Sequence, residues 1–309
     1  MKKSGEILLE TGTNEVEVMQ FTIQGELYGI NVAKVREIML SEPVKPLPRA
    51  HPAVEGIFKP RDRVLTVVDL PRYLSGAPEE KHAKDLFIVT NFNQEYVAFR
   101  VDGVVGISRI SWEQIQKPDA AASGGADGIA TGIAQCGGEL VTILDFEKIV
   151  GDIAPETAIR LTDLDGLGPR ERSTRPIYVA EDSALLNRLM KEALTRAGYT
   201  NLHLFSNGQE LWDALQELRG QGDVREAVAL VITDIEMPQM DGHRLTKLIK
   251  EDRELREIPV LIFSSLITEE LRVKGKQIGA DEQLSKPEIG QLVSAMDRLL
   301  KDSGETDGQ

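Results

Sequence analysis

Two patterns of apolar residues divide this chain near its middle. In the carboxyl-terminal half, short unbroken apolar runs at Ile177–Ala180, Ala229–Ile232 and Val260–Phe263, with a shorter one before Lys286, each end in polar residues. Among them lie Ser183–Ala197, Gly208–Arg219, Arg244–Glu251, Glu269–Ile278 and Ile289–Leu300, where apolar residues recur at helical spacing. Runs without alternation predict strands buried on both faces by crossover helices, hence a parallel α/β sheet. In such a sheet the carboxyl ends of the strands face one crevice, so residues distant in sequence converge there.

The amino-terminal half reads differently. Val16–Ile23, Leu27–Val32, Val64–Leu70, Leu86–Val89, Tyr96–Val101 and Leu140–Phe146 alternate or run apolar over strand lengths, with turn residues between them. This predicts a mostly β domain of small barrels or sandwiches. A weak internal repeat runs through it: Val64–Leu70 matches Leu140–Phe146, and Tyr28–Val32 matches Val97–Val101. Asp69 and Asp145 are 76 positions apart but Ile30 and Phe99 only 69, so an insertion is needed, and Pro118–Asp127 supplies a suitable loop. Two similar β subdomains are therefore expected.

The run ends of the second half carry complementary chemistry. Glu181 and Asp182 follow the first run, Asp234 the second, Ser264 and Ser265 the third, and Lys286-Pro287 the last. A lone Asp after a strand is ordinarily a turn residue or helix cap. Four ordered strand ends converging on one crevice weigh against that reading here. Three carboxylates repel one another unless a hard cation sits among them, and an all-oxygen set that leaves room for water suits Mg²⁺. With the metal on one side, the Lys286 ammonium on another and the Ser264 hydroxyl as a neutral donor, the crevice can stabilise a transferring phosphoryl group. Asp234 is then the nucleophile, since a carboxylate can form an acyl phosphate.

The first half shows no comparable chemistry. His51 and His82 are isolated, Cys136 is the only cysteine, and no metal-ligand or nucleophile–base spacing occurs. A non-enzymatic binding or scaffolding role is expected. Gly151–Pro176, rich in Gly, Pro and charge, reads as a linker, and Gly166–Pro169 within it lacks the strand and helix that a nucleotide loop needs. The net charge of −14 is shared, with 16 basic and 22 acidic residues to position 155 and 20 and 28 beyond. Neither half offers a basic patch for a nucleic-acid backbone, which disfavours a DNA-binding regulator. No apolar stretch approaches the roughly 20 residues of a membrane span, and the start lacks an apolar signal core, so no direct membrane insertion is expected. A cytoplasmic location agrees with the single cysteine.

Two resemblances extend this reading. Over about Arg175–Lys301, the pair Glu181-Asp182, Asp234 with Met237-Pro238 and Asp241-Gly242, Ser264, and Lys286 before Pro287 resemble the receiver domain of response regulators. The resemblance implies a doubly wound five-stranded sheet (flavodoxin-like, order 2-1-3-4-5), a phosphohistidine donor on a sensor kinase, and the Glu236 backbone carbonyl as a further Mg²⁺ ligand. One residue departs from the pattern: Gln283 stands where receivers carry an aromatic switch residue, which moves the expected output towards the helix after Ser264. Over about Glu15–Gly151, Tyr28–Ile38, Val54–Ile57, Arg61, Val64–Leu70 and Val101–Gly103 are similar to the CheW family of chemotaxis coupling proteins.

Together these give a multidomain chain resembling the CheV type: residues 1–14 a tail, 15–151 a CheW-like domain of two SH3-like β-barrel subdomains, 152–175 a linker, 176–301 a receiver and 302–309 a tail. The resemblance implies contacts with the cytoplasmic tips of chemoreceptors and with a CheA-type histidine kinase at membrane-associated arrays, with Val35, Glu37 and Arg61 on the receptor-facing side. It implies an adaptor whose coupling is altered by phosphorylation of Asp234. The alternative is a receiver acting as a phosphate sink, localised beside the kinase by the β domain.

Overall fold

The computed structural model describes residues 14–76, 84–92, 95–118, 128–154, 168, 170–220, 224–286 and 288–302. Most of the expected 118–127 loop, most of Gly166–Pro169, His82, Pro287 and both tails lie outside them. The chain divides into two compact units, built mainly on Val16–Ile110 with Gln114–Arg160 and on Leu161–Gln309.

The first unit contains β1 (Glu15–Ile23), β2 (Glu26–Asn31), β3 (Val35–Leu40), β4 (Val54–Phe58), β5 (Leu65–Asp69), α1 (Leu70–Ser75), β6 (Leu86–Phe92), β7 (Glu95–Val101), β8 (Gly103–Ser111), β9 (Ala130–Cys136), β10 (Glu139–Leu144) and α2 (Phe146–Ile153). These form two five-stranded sheets, ordered β8-β1-β2-β10-β9 and β3-β6-β7-β5-β4. The repeat is present, but its copies are interleaved. β2 of the first copy pairs in parallel with β10 of the second, setting Gly29 opposite Ile143, while β5 of the first pairs in parallel with β7 of the second, setting Val67 opposite Ala98. Each sheet therefore takes strands from both copies. The repeated aspartates have a local cause: Asp69 caps α1 through the Arg72 amide and Asp145 caps α2 through the Lys148 amide, satisfying amides that a helix start leaves unpaired.

Alternation explains why the central strands read as apolar throughout. Val68, Ile88 and Phe99 enter a core with Phe21, Ile30, Phe146 and Ile149, while Val67, Phe87, Val89 and Ala98 enter a second core with Phe58 and Leu65. Both faces of these central strands, β5, β6 and β7, are therefore buried. Arg100, buried on β7, donates to both carboxylate oxygens of Glu55 at 2.8 and 2.9 Å and to Asp85 at 3.2 Å, so its charge is compensated on two sides.

The second unit runs β11 (Ile177–Ala180), α3 (Ala184–Arg196), β12 (Leu202–Phe205), α4 (Gly208–Leu218), α5 (Val224–Ala227), β13 (Leu230–Thr233), α6 (Gly242–Glu251), β14 (Val260–Ser264), α7 (Glu269–Gln277), β15 (Glu282–Ser285) and α8 (Ile289–Asp302). Its sheet has the order β12-β11-β13-β14-β15 with every pair parallel, the arrangement expected from the resemblance. β11, β13 and β14 are buried along their whole length, as unbroken apolar runs require. Side chains of Ser183, Asn207, Asp241 and Thr268 cap α3, α4, α6 and α7.

The stretch expected as linker is ordered at both ends. α2 continues through Gly151 to Ile153, and Arg170–Arg175 is bonded to the second unit: Ser173 bridges Tyr199, Arg170 donates to Asp297 at 2.5 Å, and Arg175 donates to the Leu300 carbonyl. Arg170 and Arg175 side chains and the backbone of Ser173 and Thr174 fasten this segment without any apolar period, so composition alone reads it as loop.

Candidate phosphorylation and metal site

Strand register builds the site. Ala180 lies opposite Thr233, so the next residues, Glu181 and Asp234, leave neighbouring central strands side by side. Ser264 lies opposite Ser285, the residue before Lys286, and the Lys286 amide donates to the Ser264 carbonyl at 3.1 Å. One carboxylate oxygen from each of Glu181, Asp182 and Asp234 lies within 4.8 Å of the others. Lys286, almost wholly buried, donates to Glu181 at 2.6 Å and to Asp234 at 2.9 Å. The structure thus brings together four of the residues singled out by type and strand-end position.

The other oxygen of Asp234 accepts from the Ile235 amide at 2.6 Å. Residue-type reasoning missed this donor, because a backbone amide carries no side-chain signal. Ser264 is buried at the end of β14, where its hydroxyl accepts from the Leu266 amide at 3.2 Å. Glu181 is held by the Ser183 amide as well as by Lys286. Burial pushes the Glu181 carboxyl up to about 7, the Lys286 cation pulls against that, and the Asp234 charge adds to it.

The donor set fits Mg²⁺: three carboxylates, all hard oxygen ligands, with Asp182 only half-buried at the open side. Bound there, the ion would supply positive charge to phosphoryl oxygens. The chain's own part is to hold Asp234 by the Ile235 amide and keep the Lys286 ammonium against it.

Gly242 brings α6 close beneath the acceptor. A Cβ there would stand 1.8 Å from the Asp234 carbonyl oxygen and 2.9 Å from Thr233 Oγ1. The Gly242 amide also donates to the Ile235 carbonyl at 2.9 Å, so the helix cannot simply move away. Gly242→Ala should cost about 2 kcal/mol through overpacking, read by urea unfolding.

The adjoining His243 is buried, and burial holds its ring down to about 4, with the Lys274 charge acting in the same direction. Its folded pKa lies below its unfolded one, so its contribution is complete above about pH 6.5 and is lost as pH falls towards 4, about 3 kcal/mol in all. Urea unfolding at pH 7 and pH 4.5 should show this as a smaller acid loss in His243→Gln than in the natural chain.

Residues 17–154 match the CheW-like domain family and residues 177–297 the response regulator receiver domain family. The chain is a CheW-like domain joined to a receiver. Chemotaxis protein CheV3 of Helicobacter pylori is 26% identical over 301 residues, covering 93% of this chain and 95% of that protein. Chemotaxis protein CheV2 of the same organism is 29% identical over 308 residues with the same two coverages. Chemotaxis protein CheW of Thermotoga maritima is 26% identical over 151 residues, 49% of this chain and 98% of that one. The arrangement is that of the CheV-type relatives, and the chain is a CheW-like chemotaxis coupling protein carrying a receiver.

In the CheW-like domain the three residues expected on the receptor-facing side sit differently from one another. Val35, at the start of β3, is half-buried and packs against the main core, whereas Glu37 on β3 and Arg61 between β4 and β5 are exposed. In the receiver, Gln283 is buried on β15, and its amide donates to the Arg272 carbonyl of α7 at 2.9 Å. Among the described residues no helix is long and apolar enough to cross a membrane.

Proposed function

We propose that this protein is a chemotaxis adaptor whose CheW-like domain couples chemoreceptor tips to a CheA-type histidine kinase, and that Mg²⁺-dependent phosphorylation of Asp234 modulates that coupling. The observation that carries this reading is the contact of a buried Lys286 with Asp234 at 2.9 Å beside two further carboxylates, in a chain whose other domain is CheW-like. Asp234 is the acceptor, Glu181, Asp182, Asp234 and the Glu236 carbonyl hold the metal, Ser264 and Lys286 meet the phosphoryl oxygens, and the donor is a phosphohistidine of the kinase. A phosphoryl group adds about two negative charges and strong acceptors, enough to bias a two-state element. Glu37 and Arg61 offer exposed side chains to a receptor, and Val35 is half-buried. The protein acts as a recruited scaffold at membrane-associated arrays rather than as an enzyme.

Receptor-stimulated kinase output tests the proposal. In arrays assembled with the full chain, Asp234→Ala should leave ligand-free coupling intact and remove its dependence on phosphorylation. If phosphorylation drains phosphate while receptor control of the kinase stays unchanged, the receiver is a sink and the coupling proposal fails.

A further inference from the structure

Residues 170–176, which precede β11, form a strap bonded to two other parts of the second unit. Along the turn between α3 and β12 the Ser173 amide donates to the Gly198 carbonyl at 2.9 Å, the Thr200 amide to the Ser173 carbonyl at 3.0 Å, and Asn201 Nδ2 to the Thr174 carbonyl at 3.1 Å. Gly198 permits this approach, since its φ is +80 to +100° in kind, at +100°, and a Cβ there would stand 2.7 Å from the Glu171 carbonyl oxygen. Two arginines then carry the strap to α8. Arg170 donates to the Ala197 carbonyl at 2.8 Å and to Asp297 at 2.5 Å and lies over the Tyr199 ring, while the Tyr199 hydroxyl donates to the same Asp297 oxygen at 2.5 Å. Arg175 donates to the Leu300 carbonyl near the end of α8. Burial pushes the Asp297 carboxyl up, but the bonds from Arg170 and Tyr199 outweigh it and hold it below its ordinary range.

The helix that the strap grips is tied to the acceptor. α8 begins at Ile289, just beyond Lys286, and packs against β13 and β15, the strands that lead into Asp234 and Lys286. A phosphoryl group on Asp234 gives the Lys286 ammonium new oxygen partners, so bonding changes at the root of α8. The strap, at the other end of this helix, is where the chain arrives from the CheW-like domain, whose family match ends at residue 154. We propose that the strap and α8 form one mechanical unit through which the state of Asp234 reaches the CheW-like domain: phosphorylation shifts Lys286 and α8 together, and Arg170 and Arg175 pass that shift to the chain leading back to α2. The proposal rests on Asp234 being a phosphoacceptor that modulates coupling, and it supplies the route.

The test uses the full chain with Mg²⁺ and beryllofluoride as an aspartyl-phosphate mimic. Bound fluoride is followed by ¹⁹F NMR, the strap by amide hydrogen exchange, which reports local opening, and coupling by receptor-controlled kinase output in assembled arrays, with Asp234→Ala arrays correcting for any direct action of beryllofluoride on the kinase. In the natural chain, beryllofluoride should change kinase output while the Ser173 and Thr200 amides exchange as before, since strap and helix move together. Arg170→Gln combined with Arg175→Gln should keep the bound-fluoride signal and the ligand-free coupling. Its Ser173 and Thr200 amides should exchange about fivefold faster, the change expected from losing one ordinary hydrogen bond, and the beryllofluoride-dependent change in output should be lost. Arg170→Lys alone, which keeps the charge beside Asp297 and over Tyr199, should retain that change.

A full output response in the double variant overturns the proposal while leaving the coupling reading intact. Loss of the fluoride signal in that variant overturns it as well, because the strap then props up the site rather than carrying its state, and so does a strap that opens in the natural chain when beryllofluoride binds. In the natural chain, absence of bound fluoride removes the acceptor reading, and bound fluoride without a change in output removes the coupling reading; either takes this proposal with it.

Discussion

Asp234→Ala should receive no labelled phosphate from an autophosphorylated chemotaxis histidine kinase, while the natural chain is labelled in Mg²⁺ and not after chelation. The expected loss is at least about a thousandfold, the scale on which removing a reacting group lowers a rate. The three carboxylates are not interchangeable. Glu181 is fully buried, paired with Lys286, and its charged form is disfavoured by burial. Asp182 stands half-exposed at the rim. Asp234, like Glu181, has one oxygen held by a backbone amide and the other by Lys286, but it is less deeply buried than Glu181, on the side from which a phosphoryl group would arrive. Asp182→Ala should therefore retain acceptance at high Mg²⁺ and shift its metal dependence upward. Undiminished labelling of Asp234→Ala would falsify the assignment of the acceptor.

The second large effect concerns Lys286, whose ammonium lies between two buried carboxylates. Removing one partner from a buried ionic cluster costs far more than a surface pair is worth, because the remaining charges stay desolvated and uncompensated. Lys286→Met should lose about 3–5 kcal/mol of stability in metal-free buffer at pH 8, read by urea unfolding. Two conditions should reduce that loss. Mg²⁺ restores a cation to the cluster, so the variant should be stabilised by metal more than the natural chain is. Lower pH acts through Glu181: its folded pKa of about 7 lies above its ordinary value, and losing Lys286 removes the influence that lowers it, so the carboxyl takes up a proton as pH falls and the unpaired charge disappears. A loss that is equal at pH 6 and pH 8 and insensitive to Mg²⁺ would mean that Lys286 acts by packing rather than by charge.

How legible each strand was depended on its position in its sheet. The central strands β1, β2, β5, β6, β7, β10, β11, β13 and β14 all fall on stretches whose apolar pattern identifies them. Strands β3, β4, β8, β9 and β12, which the residue pattern did not single out, are five of the six edge strands of the three sheets, and the sixth, β15, was marked only by the short run before Lys286. An edge strand pairs on one side only and is often partly exposed, so its side chains follow neither a clean alternation nor an unbroken run. β3, with Glu37, Ile38 and Leu40 exposed, and the half-exposed β12 are examples. Val64–Leu70 and Leu140–Phe146 extended past their strands for a local reason: Asp69 and Asp145 turn the chain into helices, so Leu70 and Phe146 are buried helical residues.

The sequence alone determined the two-domain organisation, the parallel sheet and the strand-end residues of the site, because burial on both faces and one-face helical spacing leave periodic marks along the chain. It also disclosed the internal repeat. Only the tertiary structure decided that the copies exchange strands between two sheets, that Lys286 joins Glu181 to Asp234, that the Ile235 amide holds the acceptor, and that Gln283 occupies the space above Gly275. These features depend on pairing, register and close approach between residues far apart in sequence, and local periodicity records which face of an element is buried but not what lies against it.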